Sequence, residues 1–134
     1  MLREENLKSI KTVRKYIPDI VKIAQKIYDN WDEDDIDTYV GGGICHIIAD
    51  EIAYFLRSKD IDVYVVSSNF EQHVYCILQV KEGVYSLDIP PYLYERGGGY
   101  SWSKIPDVVF DESFIMIELL SPDPKDIYFY VEEY

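Results

Sequence analysis

Basic side chains and long apolar runs are scarce in this chain of 134 residues. Its 13 Lys and Arg stand against 25 Asp and Glu, which gives a formal net charge of -12 at pH 7. Nucleic acids and anionic membrane surfaces attract clusters of Lys and Arg, so this charge predicts that the chain binds neither. No apolar run approaches the ~20 residues that a membrane-spanning helix needs.

Secretion signals and a disulfide framework are also missing. The first residues lack the apolar stretch of a secretory signal, so we expect a cytoplasmic protein. Two cysteines, Cys45 and Cys76, are too few for a disulfide framework, and a reducing compartment disfavours a bond between them. Cys76 stands inside the apolar segment 74–78 and is predicted to be a small core side chain.

The content of hydrophobic residues, at 48%, is enough to build a core. The length is that of one domain, so we predict a single domain over residues 1–134. Helical spacing of apolar residues runs from 5 to 30, and Pro18 predicts either two helices or a kink there. A further helix is predicted from Ile44 to about Ser58.

Strand signals follow the helices. Four segments read as strands, over residues 61–66, 73–80, 84–89 and 114–120, and Lys81-Glu82-Gly83 predicts a tight hairpin between the second and the third. Helices first and strands after them are typical of an α+β fold. We expect the helix that carries the first cysteine to pack on an antiparallel sheet.

Cys45 is the strongest candidate for a functional residue. It follows Gly41 to Gly43 and begins an apolar-periodic stretch, so it is predicted in the first turn of a helix. The unpaired N–H groups and partial positive charge of a helix N-terminus favour a thiolate. The glycines are expected to leave the sulfur open to water and substrate. Cys45 is therefore a candidate nucleophile, with backbone near Gly43 and Ile44 as the oxyanion site.

His73 and Asp88 are candidates for a general base and the residue that orients it. His73 begins one predicted strand, and Asp88 lies near the end of the next. A hairpin loop with an even number of residues puts both on one face, so that Asp88 can bond one ring nitrogen while the other faces Cys45. Alternatively, Asp88 caps the turn before Pro90. His46 is expected to be a wall or core residue, because neighbours on a helix point about 100° apart.

Metal binding is the competing use of the same side chains. A zinc site from both cysteines and both histidines lacks paired ligand spacing, and the acidic segment 29–37 lacks the glycine and glutamate positions of a calcium loop. We predict neither a metal nor a cofactor, and interpret the acidic segment as a solvated loop or a charged rim. Further candidates for substrate contact are Gln72, and Tyr100 and Trp102 beside Gly97–Gly99, although these residues equally suit a plain surface.

Four short motifs stand in a fixed order: Gly43-Ile44-Cys45, Leu56-Arg57 with Ile61, His73-Val74-Tyr75, and Leu87-Asp88-Ile89-Pro90. They resemble the core of the transglutaminase-like branch of the papain-fold cysteine enzymes, whose typical sequences are G-x-C, L-R-x-x-G-I, H-A-W and L-D-P. The resemblance spans about residues 40–91. It implies a papain-like core in which Cys45 is the nucleophile, His73 the general base and acid, and Asp88 the residue that orients the histidine.

This sequence departs from that pattern at three places. Val74 and Tyr75 replace the small residue and the tryptophan, Lys59-Asp60 replaces the glycine link, and Ile89 separates the aspartate from the proline. Residues 88–102 are also similar to short proteins of bacterial and phage genomes. These departures leave the substrate open.

Two functions of different classes follow. The first is a thiol enzyme that acts on an amide or acyl carbonyl of a protein or peptide, as a protease, peptidase, deamidase or transglutaminase-type acyltransferase. The alternative is a non-catalytic acidic binding module, or a phage-type inhibitor, that retains the fold. The 13 tyrosines suit the alternative, because Tyr is enriched at protein interfaces. The sequence leaves the oligomeric state open.

Overall fold

The computed structural model describes residues 4–31, 44–68, 73–90 and 107–131. The predictions for Gly43, Gln72, Tyr100 and Trp102, for residues 32–37 of the acidic segment and for Gly97–Gly99 lie outside the described residues. Within the described ranges, three α-helices are followed by a four-stranded antiparallel sheet. The fold is therefore α+β, as predicted.

Two helices form the N-terminal part, α1 over Ile10–Lys15 and α2 over Ile17–Asp29. The side chain of Ser9 caps α1 by accepting a backbone N–H of its first turn. Tyr16 separates the helices, and Pro18 lies in the first turn of α2. Proline suits that position because its missing N–H would have no partner within the helix. Of the two predicted alternatives, two helices or one kinked helix, the structure has two helices, with Pro18 in the first turn of the second as predicted.

The third helix, α3, covers Ile44–Arg57 and is the central element of the fold. Its apolar residues recur at helical spacing, and α3 contacts α2 as well as the first two strands of the sheet. The buried residues of α3 are Ile44, Cys45, Ile48, Ala49, Ile52, Ala53 and Leu56. None of the helices in the described ranges is both long enough and apolar enough to cross a membrane.

The sheet consists of β1 over Asp62–Ser68, β2 over His73–Val80, β3 over Gly83–Asp88 and β4 over Met116–Ser121. The strands are neighbours in chain order. A two-residue turn joins β2 to β3, because Val80 pairs with Gly83. Gly83 has a φ of +147°, and a Cβ there would lie 1.9 Å from the carbonyl oxygen of Ser121. Only glycine fits this close approach.

The two faces of the sheet are covered differently. On one face, the main core packs α3 against Val63, Cys76, Leu78 and Leu87. The opposite face carries a smaller cluster of Ile77, Val84 and Ile127, the last from a 3-10 helix over Pro124–Phe129. Side chains alternate between these faces along each strand, so every second residue of a strand points to the face that α3 covers.

Candidate active site

Cys45 is the second residue of α3 and therefore lies in the first turn of that helix, where it was predicted. Backbone N–H groups at such a position have no acceptor within the helix and carry partial positive charge. Only 2% of Cys45 is exposed to solvent. The expectation that the sulfur is open to water is therefore wrong, because α3 packs its first turn into the core.

His73 and Asp88 form the closest polar contact of the site. His73 Nε2–H donates to Asp88 Oδ2 at 2.6 Å, with 6% of the histidine side chain and 25% of the aspartate side chain exposed. The other carboxylate oxygen, Oδ1, accepts the backbone N–H of Ile89 at 2.8 Å. Both alternatives for Asp88 hold at once, because one oxygen orients the ring while the other fixes the turn before Pro90.

The strand register explains how this pair meets. Cys76 of β2 lies opposite Leu87 of β3, and continuing that register places Tyr75 opposite Asp88. His73 is then the diagonal neighbour of Asp88 on the same face. His73 is the first residue of β2, and Asp88 is the last residue of β3. The prediction that the two side chains share a face of neighbouring strands is confirmed.

Contact between β2 and α3 brings Cys45 to the histidine. Cys76 Sγ donates to the carbonyl oxygen of Ala49 at 3.3 Å, one helical turn beyond Cys45. Cys45 in turn lies close enough to His73, three residues before Cys76, to raise the pKa of the imidazole. The helix and the strand therefore run in the same direction, and the start of α3 meets the start of β2. As the first residue of its strand, His73 reaches Cys45 although alternation places it on the opposite face from Cys76.

The charge state of His73 follows from these contacts. Burial by itself lowers the pKa of the imidazole, because it disfavours the charged ring. Hydrogen bonds and charge interactions with Asp88 and Cys45 outweigh burial and raise the pKa of His73 from 6.5 to about 9. The ring is therefore an imidazolium at pH 7. Because Nε2 bonds to Asp88, Nδ1 is the nitrogen that can exchange a proton with the Cys45 sulfur.

Tyr75 also belongs to this site, although the sequence did not single it out as a site residue. Its ring stacks on that of His73 with centroids 5.7 Å apart and an angle of 18° between the planes. Two signals in the sequence pointed to it: the place of Tyr75 in the His73-Val74-Tyr75 motif, and the spacing of two residues along a strand, which places both rings on one face.

A small cavity lies at the junction of α3, β2 and β3. Its volume is about 10 Å³, which is close to the space that one water molecule needs. The residues that line it are Cys45, Ile48, Ala49, Ile52, Val74, Tyr75, Cys76, Leu87, Asp88 and Ile89. The cavity thus joins the cysteine to the aspartate but is too small for an acyl substrate.

The remaining histidine and cysteine of the described residues have other partners. His46 Nε2 pairs with Asp50 at 2.8 Å, and 42% of the His46 side chain is exposed. His46 is therefore not a core residue, because the i,i+4 carboxylate holds its half-buried side chain on α3; its role as a wall residue stays a prediction. Cys76 is a core residue, as predicted, and burial raises the pKa of its thiol to about 12. Both cysteines carry free thiols.

Metal ligation finds no support in the described part of the chain. No group of three or more His, Cys, Asp and Glu side chains in these ranges could hold a metal ion. Cys76 bonds to α3, and His73 points its Nε2 to a carboxylate.

Comparison of the chain with family models, curated proteins and solved structures gives no significant match.

Proposed function

We propose that this chain is a cysteine enzyme with a transglutaminase-like, papain-type core, in which Cys45 attacks an amide or acyl carbonyl. One observation carries the proposal. The ring of His73 bonds to Asp88 at 2.6 Å and also interacts with Cys45 at the start of α3. This is the arrangement that a nucleophile, a general base and an orienting residue require.

The reaction begins with the Cys45 thiolate. The sulfur adds to the carbonyl carbon, and backbone N–H groups at the start of α3 stabilise the oxyanion that forms. His73 gives the proton on Nδ1 to the leaving amine, the C–N bond breaks, and a thioester to Cys45 remains. Water or an amine then attacks the thioester, loses its proton to His73, and releases the acyl product and the thiolate. Asp88 holds the ring in position throughout.

The link between α3 and β1 gives independent support for the core. Asp60, which stands where the typical motif has glycine, has a φ of +62°. This left-handed region suits glycine best, and aspartate is among the few other residues that tolerate it. The N–H of Ile61 bonds to the carbonyl oxygen of Leu56 at 3.1 Å, as in a Schellman helix end. The departure in sequence therefore retains the backbone turn that a glycine link provides.

The substrate class that suits the chain is a protein or peptide amide. A net charge of -12 opposes binding to nucleic acids and anionic membranes, and the proposed chemistry needs no metal or cofactor. Two free thiols are compatible with a reducing, cytoplasmic setting. Whether water or an amine accepts the acyl group decides between hydrolysis and cross-linking.

The test is to trap the thioester. The purified chain is incubated with small activated esters and with a panel of glutamine- and peptide-amide substrates, and intact mass spectrometry locates the acyl group. We expect an adduct on Cys45 in the wild type and in Cys76→Ala, and none in Cys45→Ala. His73→Ala should slow acylation by about 10²–10⁴-fold, and Asp88→Asn should slow it less. Acylation that persists in Cys45→Ala contradicts the proposal.

A non-catalytic binding module is the second candidate, and the burial of the site favours it. Cys45 is 2% exposed and the adjoining cavity holds no more than a water molecule. The 3-10 helix over Pro124–Phe129 exposes 64% of Tyr128 and 83% of Phe129, as a protein-binding surface does. If iodoacetamide labels Cys45 only after unfolding and no substrate acylates it, the binding module is the better description.

A further inference from the structure

We propose that Tyr75 is a positioning residue for His73: the tyrosine ring stacks on the imidazole and holds it in the orientation in which Nε2 bonds to Asp88 beside Cys45. This inference rests on the proposed function, since it assigns a role to Tyr75 in the same site. It concerns how the base is held, whichever acyl acceptor the enzyme uses.

The stacking geometry determines which directions the ring nitrogens can take. The two rings are nearly parallel, at 18°, with centroids 5.7 Å apart. In a parallel stack, both nitrogens of His73 and their protons lie in the ring plane and point away from Tyr75. A perpendicular contact would instead aim an edge of the imidazole at the tyrosine face. The observed stack is therefore compatible with the bond from Nε2 to Asp88 Oδ2 at 2.6 Å, and it leaves Nδ1 on the ring edge rather than against the tyrosine face.

The charge of the ring strengthens this contact. Among the residues that the structure describes, three side chains interact with His73: Cys45 from α3, Asp88 from β3 and Tyr75 from its own strand. The first two favour the imidazolium by charge and hydrogen bonding, and the electron-rich face of tyrosine favours it by a cation–π interaction. His73 is 5% exposed, so little water competes with these contacts.

Packing around Tyr75 prevents the histidine from turning. Tyr75 lines the same cavity of about 10 Å³ as Cys45 and Asp88. A smaller or non-aromatic side chain at this position would open space beside the imidazole. The ring could then rotate about its Cβ–Cγ bond, and water could reach Nδ1, so that the proton transfer to the leaving group would lose its geometry.

The experiment compares aromatic and aliphatic replacements of Tyr75 by two readouts. The first is the NMR pH titration of the His73 ring, which a His46→Gln background makes unambiguous because the chain has two histidines. The second is the rate of Cys45 acylation. Tyr75→Phe keeps the stack and should leave both unchanged. Tyr75→Leu should lower the His73 titration midpoint by about 0.5–1 pH unit and slow acylation roughly tenfold.

Tyr64→Leu is the matched control. Tyr64 lies on β1 and packs on the same sheet face as Tyr75. It pairs with Ile77, four residues along β2 from His73. Its replacement should leave the His73 titration unchanged. Tyr75→Met, with a flexible side chain in place of the ring, repeats the test should Tyr75→Leu fold poorly, and the same shift is expected.

The outcomes separate this inference from the proposed function. If folded Tyr75→Leu and Tyr75→Met titrate and acylate like the wild type, Tyr75 has no positioning role while the enzyme assignment stands. If no substrate acylates Cys45 but the His73 titration still moves in Tyr75→Leu and is restored in Tyr75→Phe, the positioning role stands and the enzyme assignment fails.

Discussion

At the scale of single residues, the proton on His73 ties the chemistry of the site to the stability of the fold. The pKa of this histidine is about 9 in the folded chain, above the 6.5 of an unfolded one. A raised pKa means that the folded state binds the proton more tightly. The resulting stabilisation is complete below pH 6.5 and is lost as pH rises from 6.5 through 9.

This linkage predicts how stability depends on pH. The free energy of unfolding of the wild type, relative to His73→Gln, should fall by up to roughly 3 kcal/mol between pH 6 and pH 9.5. Urea denaturation at several pH values measures it. His46→Gln, which removes a surface histidine paired with Asp50, is the control and should follow the wild type. A difference between the wild type and His73→Gln that stays constant over this range would contradict the prediction.

At the scale of elements, the turn from α3 to β1 sets the direction in which the chain leaves the helix and enters the sheet. Asp60 takes a left-handed conformation there, which lets the chain reverse into β1. Arg57 Nε and Nη2 both donate to the carbonyl oxygen of Val63, at 3.0 and 2.8 Å. These bonds fix the end of α3 to β1, while the other end of the same helix carries the cysteine to β2.

A pair of substitutions tests the backbone requirement at this turn. Asp60→Gly should leave the free energy of unfolding unchanged or raise it by less than about 1 kcal/mol. Glycine takes the left-handed region without strain, but it loses more conformational entropy on folding than aspartate does. Asp60→Val should lower it by about 1–2 kcal/mol, since a β-branched residue is strained there. Asp60 is exposed, so the comparison is free of core packing. Equal stability of the two variants in urea denaturation would argue against this account.

The elements themselves could largely be predicted from local patterns. The helix Ile44–Arg57 and the strand His73–Val80 were predicted to within a residue or two, because glycine or loop signals stand at their ends and their apolar spacing is regular. Short 3-10 helices over Glu112–Phe114 and Pro124–Phe129 were missed. Their local signals are an aspartate before each, Asp111 and Asp123, whose side chain caps the turn, and Pro124 at the start of the second.

At the scale of the whole molecule, the site arises where three elements meet. The sequence predicted Cys45 at the start of a helix, and the alternation of side chains along neighbouring strands predicted His73 and Asp88 on one face of the sheet. That the start of α3 meets the start of β2 depends on how the helix lies along the strand, which no local pattern contains. The burial of Cys45 and the stack of Tyr75 on His73 depend on the same packing, and for that reason they could not be predicted.

The most direct test of the account is whether His73 is coupled to both Cys45 and Asp88. The NMR pH titration of the His73 ring, in a His46→Gln background, reports this coupling without requiring a reagent to reach the buried sulfur. We predict a titration midpoint near pH 9 that is unchanged in Cys76→Ala and lower in both Asp88→Asn and Cys45→Ala. A midpoint near pH 6.5 in the wild type, or one that Cys45→Ala leaves unchanged, would contradict the account.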